Sequence, residues 1–201
     1  MSQQKNEQPN INMSRWISKS WDIVFSDLGN FIILSLIYLL VIAVTSTTVL
    51  GEMIVIGPLT VGFYIAIFKK IKGLKFEIND LAKGFQFFVS AFLSSIIIGF
   101  FISIGFLLFI IPGIVLSAFY MFTPLFIADQ NLDFWTAMEA SRKLVMKNLF
   151  DLTVFVFLLY IITIFGLLLC GVGILFTVPL CFVAIALAYE ELVGIKEITN
   201  Q

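Results

Sequence analysis

Four long stretches of the chain contain no Asp, Glu, Lys or Arg: Leu28–Gly51, Met53–Phe68, Gly84–Ala128 and Leu152–Tyr189. None alternates apolar and polar residues strictly, so they read as helices rather than barrel strands. The third stretch is 45 residues long and would form one helix of about 68 Å. The hydrocarbon core of a bilayer is only ~30 Å thick. That stretch therefore has to reverse, and so does the 38-residue fourth stretch. With one helix in each of the first two, the pattern predicts six spans of roughly 20 residues.

Between the apolar runs, polar positions recur at helical spacing. In residues 14–28, Ile17, Trp21, Val24 and Leu28 share one face, and Arg15, Lys19, Asp22 and Ser26 share another. Trp16 and Trp21 suit a headgroup layer, with Arg15 and Lys19 snorkelling. Residues 134–148 repeat the pattern with Trp135, Met138, Val145 and Leu149 against Arg142, Lys143 and Lys147, and Thr136-x-x-Glu139 resembles a capping box. "FEINDLAKG" is a shorter version. Both segments are expected to lie as helices at the membrane surface.

Segments 14–73 and 135–194 align without a gap at an offset of 121, matching Ser20 with Ser141, Pro58-Leu59 with Pro179-Leu180 and Gly73 with Gly194. Each unit reads as an amphipathic stretch, a helix, a glycine-marked turn, and a second helix with proline near its start. Residues 74–130 form the middle unit of a single membrane domain over 14–196, preceded by a disordered polar tail, 1–13. Gly51 and Gly105 each precede a proline by seven positions, Pro58 and Pro112. This spacing predicts reversals near Gly51, Gly105 and Gly171, with Pro112 in the first turns of its helix, where a missing N–H is tolerated. Pro124 is expected to bend that helix again.

Composition agrees with the membrane reading: 60% of residues are hydrophobic and 12% charged, against roughly 25% charged in soluble domains. All twelve basic residues fall on one side of the six-span layout. The other side carries only Glu52 as a charge. The positive-inside rule then places both termini in the cytoplasm. No signal peptide is apparent.

Little in the sequence suggests chemistry. There is no His, and Cys170 and Cys181 lie in apolar surroundings, so a metal site, a cofactor site and acid–base catalysis are not expected. Ser94, Ser95, Ser103, Thr123, Thr163, Tyr38, Tyr64, Tyr120 and Tyr160 are polar residues within spans, expected to bond to backbone or neighbouring helices. Ala91, Ser95, Gly99 and Ser103 form a small-residue stripe that lets another helix approach; the functional alternative is a polar groove. Glu52 could hold a cation or cap its turn. Asp129, Arg142, Glu190 and Glu191 gather near the basic end, as an ion-pair cluster or a headgroup site. Lys69, Lys70, Lys72, Arg142, Lys143 and Lys147 are candidate contacts for anionic lipid headgroups, with Arg142 the best phosphate ligand.

"IPGIVLSAFYMFTPLFIADQNLDFWTAMEASRKLVMKNLF" and "VPLCFVAIALAYEELVG" carry Ile111-Pro112-Gly113-Ile114, Phe134-Trp135-x-Ala137, Ser141-Arg142 and Ala188-Tyr189-Glu190. Over about 108 to 194 the chain resembles a group of uncharacterised bacterial multi-pass membrane proteins. These are similar in style to the membrane domain preceding some glycerophosphodiester phosphodiesterases. The resemblance implies the inner membrane but names no reaction, and without a soluble phosphodiesterase domain that activity does not carry over.

The expected fold is all-α: six transmembrane helices in three helical hairpins, with cytoplasmic amphipathic interfacial helices. The expected function is that of a non-enzymatic accessory or lipid-interacting scaffold. Its partners would be membrane lipids, anionic ones among them, and a second copy or another membrane protein, not nucleic acid. The alternative is a small transporter or channel, which would need a water-lined polar path between helices.

Overall fold

A computed structural model describes residues 11–47, 49–169 and 173–196. Among these the chain is helical, with no strand. The helices are α1 (Met13–Ser26), α2 (Leu28–Thr45), α3 (Val49–Ile71), α4 (Asn79–Lys83), α5 (Phe88–Leu108), α6 (Ile110–Tyr120), α7 (Thr123–Gln130), α8 (Phe134–Met146), α9 (Leu149–Leu168) and α10 (Ile174–Leu192). A 3-10 turn, Gly84–Phe87, joins α4 to α5. Among the described residues, six segments are long and apolar enough to cross a membrane: α2, most of α3, α4 through α5, α6 through α7, α9 and α10.

The contacts between helices close a ring. Consecutive spans pack together as α2 on α3, α5 on α6 and α9 on α10. The second span of each pair then meets the first span of the next: α3 on α5, α6 on α9, α10 on α2. Half or more of the positions in α3, α6–α7 and α10 are buried, but fewer than a third in α2, α5 and α9. The former make an inner set and the latter an outer set. Tyr189 of α10 is central, with Phe68 of α3 at 5.9 Å, Phe122 at 6.1 Å and Phe126 of α7 at 5.0 Å between ring centroids.

Each short polar helix lies against an inner span: α1 on α10, α4 on α3, α8 on α6 and α7. Backbone geometry recurs at the offset of 121. Asn12 caps α1 by accepting the Arg15 N–H at 3.0 Å, and Asp133 caps α8 by accepting from Trp135 and Thr136. Asp27 (φ −147°, ψ 44°) breaks the chain before α2 as Asn148 (φ −140°, ψ 49°) does before α9. Gly73 and Gly194 end α3 and α10 at φ 73° and 82°, the left-handed conformation that favours glycine.

Several local expectations are corrected. The reversal of the long third run falls at Phe109, whose backbone is extended (φ −165°), four residues past Gly105. Gly105 instead sits inside α5, where a methyl group would come within 2.9 Å of the Gly113 Cα. It supplies the close approach beside the break and does not form the break itself. Pro112 is the third residue of α6, inside its first turn as its missing N–H requires. Gly51 likewise belongs to the first turn of α3, not to the preceding turn. Gly171 and Cys170 lie outside the described residues, as do residues 1–10 of the tail. The chain bends between α6 and α7, with Pro124 at the start of α7. Ser141 of α8 repairs that bend, donating to the Phe119 carbonyl at 2.7 Å and accepting the Phe122 N–H at 3.2 Å. Backbone groups freed inside lipid need such partners.

Trp16 does not face headgroups. It is 1% exposed, packs edge-on against Phe155 and donates its indole N–H to Glu191 at 3.0 Å. The buried face of α1 is Trp16, Ser20 and Val24, while Trp21 stacks on Phe25 on the exposed side. The cap of α8 is Asp133, not Thr136; its carboxyl is held below the usual range by the Thr136 hydroxyl and the amides it accepts. The apolar reversal between α5 and α6 exposes Leu107 (86%) and Phe109 (77%), a surface that water would penalise.

Candidate functional site

Inside this ring, the contact between α3 and α5 differs from the other two. At α10–α2, Tyr38 fills the space, packing edge-on against Phe182 and sharing a hydrogen bond with Thr60 at 3.1 Å. At α6–α9, Tyr160 bonds to Ser117 at 2.9 Å and packs against Phe106. On α5 the facing positions are small: Ala91, Ser95, Gly99 and Ser103.

The small residues do two things. At one end they bring helices together: a methyl on Gly57 would lie 2.2 Å from the Ala91 carbonyl oxygen and 2.8 Å from the Ser95 hydroxyl. Small residues are what close helix approach in a membrane requires. Farther along, a methyl on Gly99 would meet nothing within 4 Å. The helices diverge there and leave a groove of two adjoining cavities. One, of about 350 Å³, is lined by Thr60, Tyr64, Ser94, Ser117 and Tyr120 among apolar neighbours from α3, α5, α6, α7 and α10. The other, of about 640 Å³, is lined by Glu52, Ile97, Phe100 and Ser103. Both share Ile56, Ser95 and Gly99. The lining of α3 runs from Glu52 to Tyr64, about 18 Å at ~1.5 Å per residue. That slightly exceeds half of the ~30 Å hydrocarbon core.

The hydroxyls lining the groove are largely committed. Ser94 donates to the Ala91 carbonyl at 3.1 Å, Ser95 to Phe92 at 2.8 Å and Ser117 to Gly113 at 2.8 Å. A serine bonded to its own helix offers a passing solute no donor, so the wall behaves as mainly apolar. Thr163 likewise bonds to the Leu159 carbonyl at 2.9 Å. Thr123 departs from the expectation: its hydroxyl is buried with no hydrogen-bond partner. Cys181 is buried beside Thr163, and no metal-holding cluster occurs among the described residues.

The basic end is organised by pairing within the chain. Asp80, 1% exposed, receives Lys69 and Lys83 (3.2 Å) and accepts the Glu77 N–H at 2.9 Å. Lys70 reaches Asp27 at 2.9 Å, and Lys72 donates to the Lys196 carbonyl. Arg142 grips Glu139 with two hydrogen bonds, 2.8 and 2.7 Å, and Lys143 lies 3.5 Å from the same carboxylate. The guanidinium holds Glu139 down to about 2, and Glu139 raises Arg142 in return.

Asp129, Arg142, Glu190 and Glu191 are not joined as one cluster. Asp129 accepts from the Tyr189 hydroxyl and from the Lys196 N–H, both at 2.9 Å. Glu191 pairs with Trp16 and, at 4.0 Å, Arg15, while the partner of Arg142 is Glu139. The two basic triplets also have separate partners: the first on α4, at the α1–α2 corner and in the C-terminal segment, while Arg142 and Lys143 of the second pair with Glu139 on α8 itself. Sequence reasoning passed over Asp80. Its signal was an acidic residue inside a short segment following Lys69, Lys70, Lys72 and Lys75. No family model, curated protein or solved structure matches this chain.

Proposed function

We propose that this is a bacterial inner-membrane protein of three helical hairpins, with both termini cytoplasmic, that holds a membrane lipid in the α3–α5 groove. It acts as a non-enzymatic, lipid-interacting scaffold. The observation that carries this reading is the groove itself: a mainly apolar cleft between the outer span α5 and the inner span α3, with Gly99 opening onto empty space. An acyl chain suits such a wall, and the groove's length matches the depth of one leaflet. The eleven basic residues among the described ones all fall in the segments that flank one end of the spans, which supports the orientation. The α1 and α8 helices, with Trp21 and Trp135 exposed, fit the cytoplasmic interface. Transport is the weaker reading, because Ser94, Ser95 and Ser117 bond to their own helices and Thr60 bonds to Tyr38.

Plugging the groove tests the proposal. In Gly99→Phe the added ring enters open space shared by both cavities. Native mass spectrometry of detergent-extracted protein is expected to show one lipid retained by wild type and by Gly99→Ala, and lost from Gly99→Phe at an unchanged thermal midpoint. Equal retention in all three would remove the groove as the lipid site.

A further inference from the structure

Glu52 gives the groove a polarity its apolar walls lack. It stands in the first turn of α3, where the helix dipole favours a carboxylate, and it is half-buried rather than free in solvent. It shares the larger cavity with Ser95, Gly99 and Ser103. Apart from Glu52, residues 28 to 68 contain no Asp, Glu, Lys or Arg. The groove therefore offers one carboxylate at the start of α3, and an apolar channel leading away from it to Tyr64.

From this arrangement we infer that the groove selects a lipid whose headgroup carries a primary ammonium, with the ammonium on Glu52 and one acyl chain along Ile56 and Gly99. Charge complementarity makes the choice. An ammonium placed beside Glu52 gains a charge-assisted hydrogen bond. The headgroup of a lipid with net negative charge places its phosphate against the same carboxylate with no cation to offset it. The basic end cannot substitute for Glu52, because it lies at the other end of α3, where Lys69 and Lys70 pair with Asp80 and Asp27. The inference rests on the lipid-holding reading of the groove and adds the headgroup class to it.

The test uses the full chain in nanodiscs of equal parts phosphatidylethanolamine and phosphatidylglycerol with identical acyl chains, followed by native mass spectrometry of the retained lipid. Wild type is expected to retain phosphatidylethanolamine over phosphatidylglycerol by about fivefold, the discrimination one partly solvated charge pair supplies. Glu52→Gln, which keeps size and polarity, is expected to bring the ratio to about one without lowering total retained lipid. Nanodiscs with N-trimethylated phosphatidylcholine in place of phosphatidylethanolamine separate ammonium hydrogen bonding from charge alone, and the preference should shrink. Retention in wild type with no headgroup preference, or a preference that survives Glu52→Gln, overturns the headgroup assignment and leaves the groove as a lipid site. Absence of retained lipid in wild type overturns both.

Discussion

Asp80→Ala is expected to lower the stability of the detergent-solubilised protein by about 3 kcal/mol, near the lower bound for leaving buried charge unpaired. Asp80 is almost fully buried, and three donors converge on it: Lys69, Lys83 and the Glu77 N–H. Removing the carboxylate strands two ammonium groups against the wall of α3 and α4. The lysine side chains keep 18% and 26% exposure, so they can partly turn toward water. This keeps the cost at the lower bound. The double variant Asp80→Ala with Lys69→Met should recover part of the loss, because it removes the more buried cation. Thermal unfolding followed by helical circular dichroism measures both. A double variant no more stable than Asp80→Ala would mean that the loss comes from the backbone contact at Glu77, not from charge.

Gly84→Ala is expected to be at least as damaging, with a cost of about 3 kcal/mol or more, at the top of the usual range for overpacking. A methyl there would lie 2.0 Å from the Pro58 carbonyl oxygen and 2.4 Å from the Gly62 nitrogen. Both are backbone atoms of α3 and cannot rotate away. Gly62→Ala meets the Leu81 carbonyl at 2.1 Å and should behave alike. Gly99→Ala is the internal control: it meets nothing, and it exchanges glycine for a better helix former, worth about 1 kcal/mol in a water-exposed helix. Yield of monodisperse protein and the thermal midpoint should separate Gly84→Ala and Gly62→Ala from Gly99→Ala. Equal midpoints would show that α3 and the 3-10 turn can part without cost.

The sequence carried the spans because long charge-free runs have a single physical solution in lipid. It also carried the position of Pro112 in the first turn of α6, since proline sterics are local; Pro58 and Pro179, expected near the starts of their helices, lie deeper, as the tenth residue of α3 and the sixth of α10. It misplaced features that depend on what packs opposite. Gly105 resembled a turn because glycine marks turns, yet its role is to let α5 and α6 touch. Trp16 resembled an interface residue because of its indole, and the structure gives that indole a carboxylate partner 175 positions away, Glu191. The pair Glu139–Arg142 was legible as an i,i+3 spacing but was assigned distant partners instead. The stripe Ala91, Ser95, Gly99 and Ser103 was recognised. Its division into a contact half and an open half depends on the angle between α3 and α5, which no local pattern encodes.

The central claim is that an acyl chain occupies the cleft between α3 and α5. Photo-crosslinking with a phosphatidylethanolamine carrying a diazirine in its acyl chain tests it most directly, with labelled peptides mapped by mass spectrometry. Label is expected to concentrate on residues 52–64 and 91–103, and to fall to the level of the exposed face of α9, around Phe157 and Ile164, in Gly99→Phe. Label spread evenly over the exposed faces of α2, α5 and α9, and unchanged in that variant, would contradict it.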